Sequence, residues 1–390
     1  MNDKDLYGIF LVAIFFALAF IWLILNYVIG ILERYNKNKS TYYNLKKSKT
    51  LPSKTLLPLS QKLRDSVTDH SSNKYGDFYI SDYVIFSSFN SAAGGTYQND
   101  WVDEDILVNM IDTGARFLDF EIYSINDKAV IAVNDTTSCR ETGSFNHLPL
   151  DTVLKRVNER AFQGSNNDPL FLQFRLKTKN KNVLEQLEYG VKKYFNHRLL
   201  PKFTGNNRKN INDVKLKDLI NKVVIVANDS YCGEKILEKS NFYDNIVNMS
   251  NNDADTVSYR SENDIVSEAD KNQLIKDSRA KTIIVIPDQM KKGMHLNFNQ
   301  TDFHTKYGIQ IVLRNLSYSK ENHVQYVKKY MNDFYDHAHQ CAFRLKPAEF
   351  RREILKVKAG DVSDQTEGTL EQSAAGFDDM LKQNGGFSIN

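Results

Sequence analysis

Cysteine is scarce and scattered. The 390 residues hold only Cys139, Cys232 and Cys341, an odd number at no metal-site spacing, so neither a zinc module nor a disulfide framework is legible. Such sparse use suits a reducing compartment. Net charge is also small, +3 at pH 7, too little to recruit nucleic acid by itself. No Gly-rich phosphate loop follows the first strand-like run, which counts against a doubly wound open sheet. No internal repeat stands out. Charge is missing altogether from Leu6 to Leu32, a run broken only by Asn26 among otherwise apolar or small residues.

That run is the strongest signal in the chain. Its 27 residues exceed the roughly 20 that cross about 30 Å of hydrocarbon as a helix. A soluble core helix of this length would carry a polar stripe. A cleaved signal peptide would have a basic start and an apolar stretch of about 7–15 residues. The start here is Met-Asn-Asp-Lys-Asp and the stretch is too long. Residues 6–32 are therefore predicted to be a single transmembrane helix.

Arg34, Lys37, Lys39, Lys46, Lys47, Lys49, Lys54, Lys62 and Arg64 follow, against Glu33 as the one acid up to residue 64. The positive-inside rule places the body on the cytoplasmic side. These residues either bind anionic lipid head groups as well, at about 1 kcal/mol each near the surface, or only fix topology. In that orientation Asn-x-Ser/Thr triplets such as those at Asn248 and Asn315 are chance matches. The high Asn and Lys content suits an AT-rich genome, and a viral or internal membrane is a fitting location.

Residues 33–75 lack periodicity and read as a basic flexible tether. From Tyr79 onward, short apolar runs alternate with amphipathic stretches of helical period. VVIVA, TIIVI and IQIVL lack alternation, as strands buried on both faces do. Seven or eight such strands between residues 80 and 350 predict an α/β fold, a (β/α)₈ TIM-like barrel over 76–358. Residues 243–275, rich in Asn, Asp, Ser and Glu, read as a long loop or insertion. Residues 359–390 read as a flexible tail.

Four segments carry a resemblance. Ile85-Phe86-Ser87-Ser88-Phe89-Asn90 is similar to a first barrel strand ending in Ser-His-Asn-Thr. Gly114 through Glu121 resembles Gly-x-Arg-x-x-Glu-x-Asp. Leu150–Phe162 with Pro169–Leu172 resembles the helix and strand that come next. Gly308-Ile309-Gln310-Ile311-Val312 and Arg344-Leu345-Lys346-Pro347 resemble Gly-x-Gln-x-Val and Leu-Lys-Pro-Glu. Together they resemble phosphoinositide-specific phospholipase C, with an X-like region at 80–235 and a Y-like region at 280–352. No accompanying pleckstrin-like, EF-hand or C2 segment can be placed. The resemblance implies phosphodiester cleavage by two histidines, with Ca2+ held by oxygen ligands at the barrel mouth.

Residue by residue, that machinery transfers poorly. Phe89 stands at the first histidine position. The second histidine region, around Val133 and Asn134, has none. Asn90, Asp119 and Glu121 fall on the family's metal positions, while Arg175 stands at its last carboxylate. Lys222, the one lysine of the strand NKVVIVAND, lies at the end away from the mouth. Asp119 and Glu121 share one strand face, and two buried carboxylates need a cation. Arg175, placed two or so strands away, either supplies that charge by a bidentate pair or points to solvent. No cofactor is then expected; Ca2+ is expected if the site is active. His295, His304, His337 and His339 form no metal spacing, and Gly94-Gly95 reads as a turn. Tyr318 and Lys320, past the last of these strands, belong near the mouth with no assigned role. The expected function is a membrane-anchored, catalytically degenerate barrel, lipid-proximal or structural. An active phosphoric diester hydrolase with altered residues is the alternative, and a protein partner on the barrel a third reading.

Overall fold

The computed structural model describes residues 3–47, 56–65, 75–94, 101–134, 139, 141–164, 166–204, 207–208, 210–288, 302–316, 321–336 and 340–352. Helix α1, Asp3–Lys47, contains the whole uncharged run. Within it, Tyr7–Glu33 is long and apolar enough to cross a membrane, and none of the described residues covers it: Phe10 is 63% exposed and Trp22 64%. The helix continues fifteen residues past Leu32, so the first part of the expected tether is helical rather than irregular. Helix α2, Leu59–Asp65, departs from that expectation too. Leu59 is fully buried in the barrel core, and its N–H donates to Asp168 Oδ1 at 2.7 Å.

The body follows in order: β1 Tyr83–Ile85, β2 Ser87–Ser88, α3 Glu104–Asp112, β3 Phe117–Ile125, β4 Lys128–Ala132, β5 Leu148–Pro149, α4 Leu150–Ala161, β6 Leu170–Leu176 and α5 Asn182–Phe195. A short hairpin, β7 Phe203–Thr204 with β8 Asn207–Arg208, precedes β9 Val223–Asn228. The remainder comprises α6 Asn241–Asn245, β10 Met249–Ser250, β11 Val257–Ser261, α7 Glu262–Ser267, α8 Lys271–Ala280, β12 Thr282–Ile286, α9 Phe303–Tyr307, β13 Ile311–Val312, α10 Glu321–Tyr335 and β14 Phe343–Leu345.

Two parallel ladders form the frame of a TIM-barrel-type fold. One runs β2, β3, β6, β9, β10; the other runs β11, β12, β13. Backbone bonds from Ile85 N to Gln310 O and from Phe89 N to Arg314 O join the last of these strands to the first. The pair β1 and β14 lies antiparallel beside them. The segment 243–275 is not a loop: it contains β10, β11, α7 and the first half of α8. Its polar residues cap helices instead, Ser261 and Asp264 forming a capping box on α7 and Asp270 accepting from Asn272 and Gln273 on α8. The tail 359–390 lies outside the described residues.

Side chains alternate across each parallel strand. Leu118, Phe120 and Ile122 of β3, with Leu172, Phe174 and Leu176 of β6, join a core shared with α4 and α5. The opposite face is layered. Phe117, Phe171 and Val224 align across β3, β6 and β9, followed by Asp119, Gln173 and Val226, and then by Glu121, Arg175 and Asn228. The inner face is therefore apolar at the strands' N-terminal ends and charged at their C-terminal ends, where the site lies.

Candidate functional site

Arg175 holds the centre of the charged layer. It faces Glu121 directly across the β3–β6 ladder. Its Nε donates to Asp119 Oδ1 at 2.8 Å and one terminal nitrogen to Asp119 Oδ2 at 2.7 Å, a bidentate fork. The same nitrogen reaches Asn90 Oδ1 at 2.6 Å, and the other meets Glu121 Oε1 at 2.8 Å. Asp119, Glu121 and Arg175 are 0%, 1% and 2% exposed. Burial alone would lower the guanidinium's proton affinity; Asp119 and Glu121 outweigh it and hold the group charged, its pKa well above the ordinary value.

The carboxylates are further saturated. Asp119 also accepts from the Asn90 N–H and from Gln173 Nε2, each at 3.0 Å. Glu121 Oε2 accepts from the Tyr123 hydroxyl at 2.7 Å and the Asn134 N–H at 3.0 Å. Burial, and then the neighbouring Glu121, push the Tyr123 phenol upward. Asn90 adopts φ 46°, in the left-handed region that asparagine tolerates, which lets its N–H and its side-chain oxygen serve the same cluster.

Aromatic rings close the cluster. The Phe89 ring centroid lies 4.4 Å from the Arg175 guanidinium carbon and that of Tyr231 lies 5.8 Å away. Tyr231 also stacks against Lys177, whose Nζ is 4.4 Å from the ring centroid. Burial lowers the Lys177 pKa, with Glu121 opposing that shift, and burial pushes the Tyr231 phenol up to about 12.

Val133, in the region of the second family histidine, is buried wall: its carbonyl accepts from Gly143 and Ser144, and its side chain packs with Ala93 and Val102. Asn134 donates from Nδ2 to the Glu141 carbonyl. His147 is exposed, beside a groove of about 750 Å³ between the β4–β5 hairpin and α5. His304 is fully buried, with Nδ1 bonded to the Ile309 carbonyl at 2.9 Å, among Tyr330 and Phe334. Among the described residues, no polar partner of Asp119, Glu121 or Arg175 is a histidine. Gly94 N–H bonds the Trp101 carbonyl. Lys222 precedes β9, at the far end from this cluster. Gly95, His295, Tyr318, Lys320, His337 and His339 lie outside the described residues.

Asn90, Asp119 and Glu121 occupy the calcium positions that the resemblance implies. The oxygens of Asn90, Asp119 and Glu121 converge on a guanidinium, so a divalent cation among them would abut a fixed positive charge. As arranged, these residues do not fit the ion.

Several site residues escaped sequence reading. Lys177 carried a signal, since 173, 175 and 177 are polar positions of one period-2 face in the strand LFLQFRL and its continuation. Tyr231, in a short turn after β9, carried none. Nor did the pairing of cysteines: Cys139 and Cys232, 93 residues apart, form a disulfide with Cα atoms 5.2 Å apart, while Cys341 is free and buried. The sequence shows no disulfide framework, yet one bridge is present, which removes the support that sparse cysteine lent to a reducing compartment. Glu262, at the start of α7, and Arg314, after β13, form a buried ion pair at the same end of the strands.

Comparison with known proteins agrees with this architecture. The family model "Phosphatidylinositol-specific phospholipase C, X domain" matches residues 77–229. The Y-like region lies outside that match. Among solved structures, PLC21 of L. pealei is similar at 15% identity and a TM-score of 0.57, over 76% of this chain and 40% of that one. PLC21 of S. officinalis gives 14% identity and a TM-score of 0.51, over 71% of this chain and 38% of that one. The chain thus spans about two fifths of the length of these structures. No curated protein sequence matches it. Residues 77–229 are thus similar to the X domain of phosphatidylinositol-specific phospholipase C, and the solved structures share the fold of the body.

Proposed function

We propose that the chain is a membrane-anchored phospholipase C-like barrel whose cleavage machinery is degenerate, and that it acts in lipid-proximal binding or as a structural membrane protein. The observation that carries the reading is the Arg175 guanidinium, bound to Asp119, Glu121 and Asn90 together. General acid–base groups contribute typically 10² to 10⁴ each. Phe89, Val133 and Asn134 offer no proton carrier at the family's two histidine positions. Arg175 supplies as a fixed side chain the positive charge that the carboxylates require, and it neither moves a proton nor activates a hydroxyl.

Helix α1 substitutes, in this reading, for the separate modules that bring related barrels to lipid. Basic residues between 34 and 64 set the body on the cytoplasmic side and favour anionic head groups. The test is phosphatidylinositol in mixed vesicles, incubated with the full-length chain in calcium or in chelator. No release of water-soluble inositol phosphate is expected in either; calcium-dependent release would overturn the reading. Flotation of the body without residues 1–32 on vesicles with and without anionic lipid separates lipid binding from a protein-binding role.

One observation favours the alternative of an active phosphoric diester hydrolase with altered residues. Glu262 follows β11 at the charged end of the strands, and its Oε2 has no partner among the described residues. Burial, opposed by Arg314, pushes its carboxyl up to about 7. Such a group suits proton transfer near neutrality. Activity lost in Glu262→Gln would support this alternative.

A further inference from the structure

We infer that the Cys139–Cys232 disulfide is a redox latch that holds Tyr231 over Arg175 and Lys177, so that its reduction opens the barrel mouth. The inference rests on the closed-mouth reading above and adds its regulation. Cys139 belongs to the segment after β4, which begins at Asn134 on the Glu121 carboxylate; Cys232 is the neighbour of Tyr231 in the turn after β9. The bond therefore ties together two segments that leave the charged layer from opposite sides of β3 and β6.

The Tyr231 segment is anchored at both ends through Asp229. At one end Asp229 exchanges bonds with Asn251, its N–H donating to Asn251 Oδ1 and its carboxylate accepting from Asn251 Nδ2. At the other, the Leu237 N–H reaches Asp229 Oδ2, and Ile236 and Leu237 are buried in the outer core. Between the anchors, Ser230 bonds Asn228 Oδ1 through its N–H and hydroxyl, Tyr231 meets Arg175 and Lys177, Cys232 carries the disulfide, and Glu234 and Lys235 make surface pairs with Lys179 and Glu238. Gly233, at φ +69° with nothing near where a Cβ would stand, gives that span a pivot. Cutting the bond leaves both anchors intact and removes the covalent tie on the part that carries Tyr231, leaving it the Ser230 bonds and the ring contacts.

The chemistry is a thiol–disulfide exchange. A dithiol donor gives two electrons and two protons; the Sγ–Sγ bond breaks, Cys139 and Cys232 become thiols, and the donor becomes a disulfide. Reoxidation by a disulfide acceptor reverses each step. Cys139 is partly exposed, so a donor can reach it.

Acylation of Lys177 reads the latch. The full-length chain in detergent is treated with an amine-acetylating ester, before and after dithiothreitol, and modification is followed by peptide mass spectrometry. Lys202 and Lys346 serve as internal controls, because both are buried and bonded to the carbonyls of Tyr243 and Ser278. Reduction should raise Lys177 acetylation at least about tenfold, as local opening does, and leave the controls unchanged. Reoxidation should restore protection. Cys139→Ala with Cys232→Ala should show the open rate without reductant, and reversible reduction of the native chain keeps the test usable if that variant does not fold. An unchanged Lys177 rate with both thiols demonstrably reduced overturns the latch, as does an equal rise at all three lysines, or absence of the bond in the isolated protein. Phosphatidylinositol cleavage by the same samples would sink the degenerate-barrel reading while leaving the latch standing.

Discussion

Glu121 and Arg175 stand opposite one another in the β3–β6 ladder, 2.8 Å apart at Oε1 and the guanidinium nitrogen. Neither is tolerable there alone. Removing one partner of a buried ion pair costs about 3–5 kcal/mol, because the remaining charge cannot be rehydrated. Arg175→Met leaves two buried carboxylates without a cation. It should lower the urea midpoint by a corresponding amount, and adding Asp119→Asn and Glu121→Gln should recover most of the loss. Arg175→Lys should be destabilising too, since an ammonium cannot reproduce a fork shared among Asp119, Glu121 and Asn90. A neutral result for Arg175→Met would mean that the cluster is not the electrostatic unit described.

The same charge balance governs metal. With Arg175 in place, millimolar calcium or chelator should move the melting temperature of the native chain by less than about 1 °C, because a ligand stabilises only through binding. Arg175→Ala uncovers Asn90, Asp119 and Glu121, oxygen donors suited to a hard cation. That variant should gain a saturable, calcium-dependent rise in melting temperature. Calcium stabilisation of the native chain would show that Arg175 yields its place to the ion.

How much of this was legible follows from where the information sits. The period-2 placement of Asp119 and Glu121 is written in the strand, and so is Arg175 two residues after Gln173. The distance between them was misjudged: the run at 129–133 reads as an intervening strand. In fact β4 and β5 turn aside as an antiparallel hairpin, leaving β3 and β6 as direct neighbours. In the segment 243–275, composition suggested a loop because capping and half-buried strand positions both use polar residues; Val257 alone of β11 is fully buried. The docking of Leu59 and the Cys139–Cys232 bond depend on contacts more than 90 residues apart, about which local pattern says nothing.

His304 gives a prediction in pH. Its ring is buried, Nδ1–H serves the Ile309 carbonyl, and Nε2 has no partner among the described residues. Burial above all, and then Arg344, lowers its pKa to about 3. The unfolded chain would titrate this group near 6.5. Between those values the unfolded state binds the extra proton, so the stability contributed by neutral His304 is complete above 6.5 and is lost as pH falls toward 3. From pH 6.5 to 4.5 the native chain should lose roughly 2–3 kcal/mol through this residue. His304→Asn, which keeps a donor for Ile309, should show a shallower acid limb in urea titrations. Equal slopes would exclude His304 as the source.

The last prediction concerns α1. Tyr7–Glu33 spans 27 residues without a covering partner among the described residues, about 40 Å of helix against about 30 Å of hydrocarbon. As an anchor, the segment should stay in the mature protein and resist carbonate extraction; a signal sequence would be missing from the intact mass. Phe16→Arg should weaken insertion, since a central arginine costs about 2.5–3.5 kcal/mol. Orientation is contested by two features of the same chain. Arg34, Lys37 and Lys39 lie directly after the span and by the positive-inside rule would hold the body on the cytoplasmic side, whereas a Cys139–Cys232 bond persists best in an oxidising compartment. The basic flank acts during insertion, before the disulfide can form, and so should decide. Protease added to sealed vesicles with the cytoplasmic face outward should digest the body. Alkylation of intact cells should then find the pair partly reduced, as a bond facing a glutathione pool would be. A protected body with a fully oxidised pair would reverse the orientation.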